Sequence, residues 1–405
     1  MPDSKRIFPL LEKEGMARQP KADAPGWSVR PKHLRLIIVA ALACLVFAGG
    51  LHLVAAEELP AQLSDEAFWH LVTDLSEPGG FFRSDNFISN ETLFQHVVGR
   101  LKETTKPGGV YLGVGPDQNF TYIVALKPRM AFIVDIRRQN MLEHLMYKAL
   151  IELSADRADF LSKLFSRTQP ENLTTESTAE ELFEAFRDGR GDRDTFYANF
   201  GAIKTQLEER HRFVLSQEDE SIIQYVLRAF YVGGPNLTYV GPVNPRFGGQ
   251  NRMPSYADLM IQNDGEGQNR SYLSTESNFA ILKDLEKRNL IVPLVGDFAG
   301  PKTIRAVGTY LQEHDATVTA FYLSNVEQYL FQQNDDWSRF YENVAALPID
   351  SSATFIRSVF NGYAYNFRTN GYLRSASLLS SISDLLEAFK AGKVGTYYDV
   401  IRMSK

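Results

Sequence analysis

Val110-Tyr111-Leu112-Gly113-Val114-Gly115, followed at a distance by Ala131-Phe132-Ile133-Val134-Asp135, is the stretch on which the fold turns. The first segment is a short apolar run entering a glycine turn, the pattern of a buried strand. Asn119 to Leu126 reads as a helix that stops at Lys127-Pro128, because the residue before a proline is pushed out of the helical region. The second apolar run ends on a carboxylate, and Arg138 to Leu150 reads as the next helix. Strand, turn, helix, strand and helix with short links call for parallel strands with helices between them.

Outward from that core, Asp65 to Leu75 and Thr92 to Lys102 read as helices, separated from the first strand by the breaker Lys106-Pro107-Gly108-Gly109. Downstream the alternation lapses. Asp156 to Phe230 is helical in pattern, and Pro235 to Gly267 is rich in Gly, Pro and Asn and reads as loops. It resumes with a strand at Leu290 to Asp297, a helix at Lys302 to Glu313 and strands at Val318 to Leu323 and Ala353 to Phe360. Ile382 to Lys390 reads as a helix and Tyr397 to Met403 as a final edge strand. The expected fold class is therefore α/β. It is a doubly wound, mostly parallel, Rossmann-like sheet over 81–405, with a helical and loop insertion at about 155–285.

Composition narrows the function classes. The 405 residues are 44% hydrophobic and 23% charged, ordinary for a folded chain. A formal charge of −6 gives no basic footprint, so no nucleic-acid partner is expected, while oligomeric state is left open. The single cysteine, Cys44, lies outside the folded part, which excludes cysteine–zinc sites and a cysteine nucleophile there. The seven histidines show no HExxH spacing and no GxSxG elbow occurs, so metallohydrolase and serine hydrolase chemistry is not expected, and no metal site is assigned.

Residues 36–56, LIIVAALACLVFAGGLHLVAA, carry about the ~20 apolar residues of a membrane helix. Residues 1–35 are basic, Glu57, Glu58, Asp65 and Glu66 follow the apolar segment, and 57–80 reads as linker and short helix. That asymmetry predicts an N-terminus in the cytoplasm and a folded domain carried across the membrane. Val54-Ala55-Ala56 offers small residues suited to signal peptidase, so an anchor and a cleaved signal peptide stand side by side. Either way the expectation is membrane anchoring or export.

The turn and the acid define the expected ligand site. Ligands of such sheets bind beyond the carboxyl ends of the strands. Gly113 and Gly115 let the chain bend sharply and keep side chains away from a ligand. Asp135, 20 residues after Gly115, is placed to accept the ribose hydroxyls of an adenosine group. The dinucleotide fingerprint wants a third glycine where this chain has Gln118; two glycines followed by Asn119 suit S-adenosylmethionine better. Arg137 and Arg138 keep a nicotinamide dinucleotide with a 2′-phosphate as runner-up, against the plainer reading of a solvated first helical turn.

YLGVGPDQNF (111–120), AFIVDIRR (131–138), FRSDNFISNE (82–91), QNRSYLSTE (268–276), VPLVGDFAGPK (292–302) and AFYLSNVEQYL (320–330) resemble an uncharacterised bacterial family with a class I methyltransferase-like fold. The resemblance spans most of 80–400. It implies S-adenosylmethionine as cofactor, with an acid at Asp297 accepting from the adenine amino group and Phe298 stacking on the ring. It also implies acceptor-facing residues at the next strand end: Asn325 orienting, Glu327 as a base, and Tyr329 beside them. Helix capping is the plain alternative at both places. Methyltransferases carry an acid two residues before the first glycine, where this chain has Tyr111. The polar run Arg83, Asp85, Asn86, Ser89, Asn90 and Glu91 either folds over the cofactor mouth or caps the following helix. The functional expectation is a methyltransferase-like protein of unknown acceptor, with a non-catalytic, membrane-tethered or exported binding protein as the alternative.

Overall fold

A computed structural model of the chain describes residues 58–242, 253–360 and 375–405. In chain order the main elements are α1 (Asp65–Leu75), α2 (Val98–Thr104), β1 (Val110–Gly113), α3 (Gln118–Leu126), β2 (Met130–Asp135), α4 (Arg138–Leu153), α5 (Arg157–Phe165), α6 (Ala179–Ala185), α7 (Arg193–Lys204) and α8 (Gln217–Gly233). They continue with β3 (Leu237–Thr238), β4 (Gly241–Pro242), α9 (Tyr256–Met260), α10 (Glu276–Lys287), β5 (Ile291–Val295), α11 (Thr303–Glu313), β6 (Val318–Ser324), α12 (Val326–Leu330), α13 (Asp336–Val344), β7 (Ile349–Phe360), β8 (Ser375–Ser381), α14 (Ile382–Lys390) and α15 (Tyr397–Arg402).

Six strands form one sheet in the order β5-β2-β1-β6-β7-β8, and β3 with β4 makes a separate two-residue ribbon. Every pairing in the main sheet is parallel except β7 with β8. Phe132 lies level with Leu112 on one side and Val292 on the other, and Leu112 with Phe321, so the apolar runs stack into one sheet. Every residue of β1, β2 and β5 is buried, as expected of parallel strands covered by helices on both faces. This is a mixed α/β fold with a central, mostly parallel sheet flanked by helices, consistent with a Rossmann-like architecture. From β1 the chain passes to β2 on one side, while β6 lies on the other. That change of direction opens the ligand crevice of such sheets at the carboxyl ends of β1 and β6.

Differences from the sequence reading are local. Residues 397–402 are helical because the Thr396 hydroxyl accepts from the Asp399 amide in a capping box. The outer strand is instead Ser375–Ser381, which pairs antiparallel along β7. The interrupted region supplies α5 to α10, and helix α4 packs against α8, α10, β2 and β5.

The membrane reading is corrected. Among the described residues no helix is long and apolar enough to cross a membrane. The membrane partner and the anchored or exported placement are therefore not retained; residues 36–56, on which they rested, lie outside the described residues.

Candidate functional site at the carboxyl edge of the sheet

The turn after β1 is built around Asn119. Its Nδ2 donates to the carbonyls of Val114, Gly115 and Pro116 at 2.9, 3.1 and 2.8 Å, and its Oδ1 accepts from the Tyr111 hydroxyl at 2.9 Å. Asn119 is fully buried, so these bonds replace water for groups that would otherwise be stranded. Gly113 lacks a side chain for the same reason: a Cβ there would stand 1.9 Å from Asn119 Oδ1. Gly115 has φ +77° and open space around its α-carbon, a conformation that favours glycine. Tyr111, in place of the methyltransferase acid, thus serves the turn. Asn119, assigned to the ligand from sequence, holds the loop.

Asp135 ends β2 as expected, and it is buried against Arg137. Its Oδ1 accepts from the Arg137 amide at 2.9 Å and from Nε at 3.0 Å, and its Oδ2 from Nη2 at 2.8 Å. Arg137 also donates from Nη1 to the Asp85 carbonyl. Burial alone would lower the Arg137 pKa, but the Asp135 charge and hydrogen bonds raise it. This is a buried fork-to-fork pair, not a solvated first turn. Arg138 forms a second bidentate pair, with Asp219 of α8, at 2.6 and 2.9 Å. Neither guanidinium is held out for a 2′-phosphate.

The β5 end places Asp297 half-buried, its Oδ1 accepting from the Ala299 amide at 2.9 Å, and burial pushes its carboxyl up. The start of α11 is capped from elsewhere: Glu77 accepts from the amides of Lys302 and Thr303 at 2.9 and 3.0 Å. Phe298 stacks on Phe340 at 5.4 Å and contacts Phe321, inside the core. At the β6 end, Asn325 is half-buried and makes no side-chain cap. Glu327 forms a buried pair with Arg357 of β7 (2.6 Å to Nε, 3.2 Å to Nη2) and accepts from Tyr341 at 2.7 Å. Tyr329 meets Phe82 edge-on at 5.3 Å, with the Arg83 guanidinium 5.9 Å from its ring. The structure thus joins the 82–83 segment to Tyr329 and turns Glu327 away from it.

Glu91, from the polar run before α2, enters the crevice and is fully buried. Its Oε1 accepts from the hydroxyls of Tyr322 (2.8 Å) and Ser324, and its Oε2 from Gln118 Nε2 (2.6 Å) and the Ser358 hydroxyl. Burial pushes this carboxyl up, and the four donors work against that. Gln118, where a dinucleotide site would have its third glycine, therefore ties α3 to a carboxylate shared with β6 and β7.

Sequence reading missed one face of α4. Asn140, Glu143, His144 and Tyr147 recur at i, i+3, i+4 and i+7, a stripe that usually faces solvent. All four are at most 2% exposed. His144 Nε2 lies 2.9 Å from the Gly115 carbonyl; a carbonyl only accepts, so Nε2 carries the proton. Burial pushes the His144 pKa down to about 4, leaving a neutral ring with Nδ1 as an acceptor. Nδ1, both Glu143 oxygens, both Asn140 amide atoms and the Tyr147 hydroxyl find no hydrogen-bond partner among the described residues. Asp117, in the turn, is buried beside them, and burial raises its pKa to about 7 while the Tyr272 hydroxyl, at 3.2 Å, lowers it. Phe230, Tyr256 and Tyr272 of the inserted region cover the stripe, Phe230 through Tyr147 at 5.8 Å and Tyr272 through Phe120 at 5.3 Å. The available clue was the length of that insertion.

Among the described residues no group of three or more His, Cys, Asp or Glu is arranged to hold a metal ion. Two open surface grooves, of about 450 and about 310 Å³, meet at Lys127 and Pro128, at the amino-terminal edge of the sheet. They lie away from the strand ends described above. No curated protein matches the chain. A family model described as a domain of unknown function (DUF7790) matches residues 86–230 and 247–394, which take in the glycine turn, Asp135, α4 and the β6 end. The chain belongs to that family.

Proposed function

We propose that the carboxyl edge of the sheet binds a single adenosine-type ligand, S-adenosylmethionine, in a class I methyltransferase-like manner. The observation that carries this reading is the placement of Asp135: it ends β2 beside the Gly113–Gly115 turn, at the point where the strand order changes direction. Among the described residues Asp135 Oδ2 takes a single donor, Arg137 Nη2, which leaves a lone pair for a ribose hydroxyl. Two features favour one nucleoside over a dinucleotide. The last strand runs antiparallel where a second mononucleotide half needs a parallel one, and Gln118 is committed to Glu91. Asn325 and Tyr329 are the groups at the β6 end left to face an acceptor. A second reading, a binding domain without catalysis, is favoured by the Glu327–Arg357 pair, which occupies the one expected base.

Calorimetry of the full chain with S-adenosylmethionine tests the proposal. Saturable binding is expected, weakened at least about tenfold, or ~1.4 kcal/mol, by Asp135→Asn. Thermal unfolding verifies that the variant folds around Arg137. Absence of binding by the unaltered chain sinks the adenosine reading.

A further inference from the structure

The unpartnered stripe on α4 has a chemistry of its own. Its unsatisfied atoms are mostly acceptors: two Glu143 oxygens, His144 Nδ1 and Asn140 Oδ1, against the Asn140 amide NH2 and the Tyr147 hydroxyl as donors. These four side chains are neighbours on one helical face, and all are more than nine-tenths buried. The charges around Glu143 are mainly negative. Asp117 in the turn, Asp135 on β2 and Asp85 before α2 act on it, opposed by the positive charge of Arg137. Burial first, then those carboxylates, push the Glu143 carboxyl well above its ordinary range, while Arg137 works against them. A buried donor or acceptor left unmade costs ~1–3 kcal/mol, more for a charged group. Natural folds keep such an arrangement where a bound group completes it.

We propose that Asn140, Glu143, His144 and Tyr147 form a site for a primary ammonium group, closed over by Tyr256 and Tyr272. An ammonium carries three N–H donors and one positive charge. Glu143, His144 Nδ1 and Asn140 Oδ1 accept the three protons, and the positive charge favours the ionised form of Glu143, whose proton leaves as the ammonium enters. An anion would find few donors there and would oppose that ionisation. A divalent metal is disfavoured because no metal-type grouping of side chains occurs among the described residues. The site does not depend on the adenosine reading, since it lies on α4 behind the turn and shares no residue with Gly113, Gly115 or Asp135.

The test is thermal unfolding of the full chain titrated with methylammonium chloride, against tetramethylammonium chloride and sodium chloride at matched ionic strength. The expected result is a saturable rise in Tm with methylammonium alone, since tetramethylammonium has no N–H to donate. Glu143→Gln is expected to raise the half-saturating concentration at least about tenfold. Glu143 accepts no side-chain hydrogen bond among the described residues, so this variant should fold, and its Tm without amine reports that. Should it not fold, Asn140→Leu, which keeps the side-chain volume and removes one of the three acceptors, decides by the same shift in smaller degree. Equal effects of the two organic cations, no saturable effect, or an unchanged half-saturation in the folded variants would each overturn the proposal. Any of these leaves water as the only occupant.

Discussion

Asn119 and Gly113 occupy each other's space, and that coupling is measurable. Asn119→Ala removes four buried hydrogen bonds and leaves the Tyr111 hydroxyl and the Val114 carbonyl to find other partners, while the Gly115 carbonyl keeps His144 Nε2 and the Pro116 carbonyl keeps the backbone amide of residue 119. A loss of about 2–4 kcal/mol is expected, from ~1–3 kcal/mol per stranded group with partial relaxation of the loop. Gly113→Ala drives a methyl into Asn119 Oδ1 and is expected to cost ~1–3 kcal/mol as overpacking. In the double variant the shortened side chain at 119 vacates that space, so the two losses should sum to more than the double variant shows. Denaturant midpoints of the four proteins measure the coupling, and strict additivity would refute the steric account. The same residues show what a single sequence can carry. The glycines were legible as a turn, but their reason was not: Gly113 makes room for a side chain six residues on. Asp135 was legible as a strand-end acid, yet nothing in the letters said that Arg137 would fold back onto it, because the next turn of a helix is usually solvated.

Single elements were read best where their signals were local. Apolar runs bounded by Gly and Pro located β1, β2 and β5, since a strand buried on both faces leaves a continuous hydrophobic stretch. β8 escaped because Ser375-Ala-Ser-Leu-Leu-Ser-Ser lacks the bulky apolar alternation of a strand; Ser375, Ser377 and Ser380 are buried through hydroxyl bonds, Ser377 to Ser358 and Ser380 to Arg357 across the sheet and Ser375 to Thr92 beyond its edge. Tyr397 to Arg402 was misread in the opposite sense, its aromatic start suggesting a strand while Thr396 and Asp399 close a helix. The Glu327–Arg357 pair shows the same limit between elements. It joins α12 to β7, and Arg357 reaches Ser380 and Ser404 as well, at 2.6 and 2.5 Å. Breaking a buried pair leaves a charge uncompensated, so Glu327→Gln should lose about 3–5 kcal/mol of stability. Replacing both partners by Glu327→Leu with Arg357→Met should lose much less than the sum of the two single changes. Urea unfolding decides: a Glu327→Gln variant of unchanged stability would return Glu327 to the list of groups available for chemistry.

At the scale of the molecule, alternation of strands and helices made the sheet legible, whereas the long insertion hid what it covers. Its contacts are non-local: Tyr147 on α4 meets Phe230 and lies beside Tyr256, residues about a hundred positions away, and no period in the sequence announces such a closure. A second long-range junction sets the pH response of the whole fold. His211 bridges Asp65 of α1 and Glu152 of α4 at 2.7 and 2.6 Å. Burial tends to lower its pKa, but Glu152 and Asp65 outweigh burial and the opposing Lys148, so the net shift is upward. Behind it Glu286 of α10 is fully buried. Burial raises its pKa to about 8, with Lys148 pulling down and Glu152 adding to the rise. Both folded-state values lie above the unfolded ones, so each group contributes stability below its unfolded pKa that is lost as pH rises through the folded value. His144 acts in the other direction. Its pKa is lowered to about 4, so the unfolded chain binds its proton first and stability falls below about pH 6.5. Between about pH 7 and about pH 9 the first two groups act alone among these three, and stability should fall across that window. Denaturant midpoints across it should decline in the unaltered chain and decline less in Glu286→Gln and in His211→Gln, each of which removes one titrating group. A profile that is flat or rising over the same window, or variants that track the parent, would show that this junction does not govern the alkaline stability of the fold.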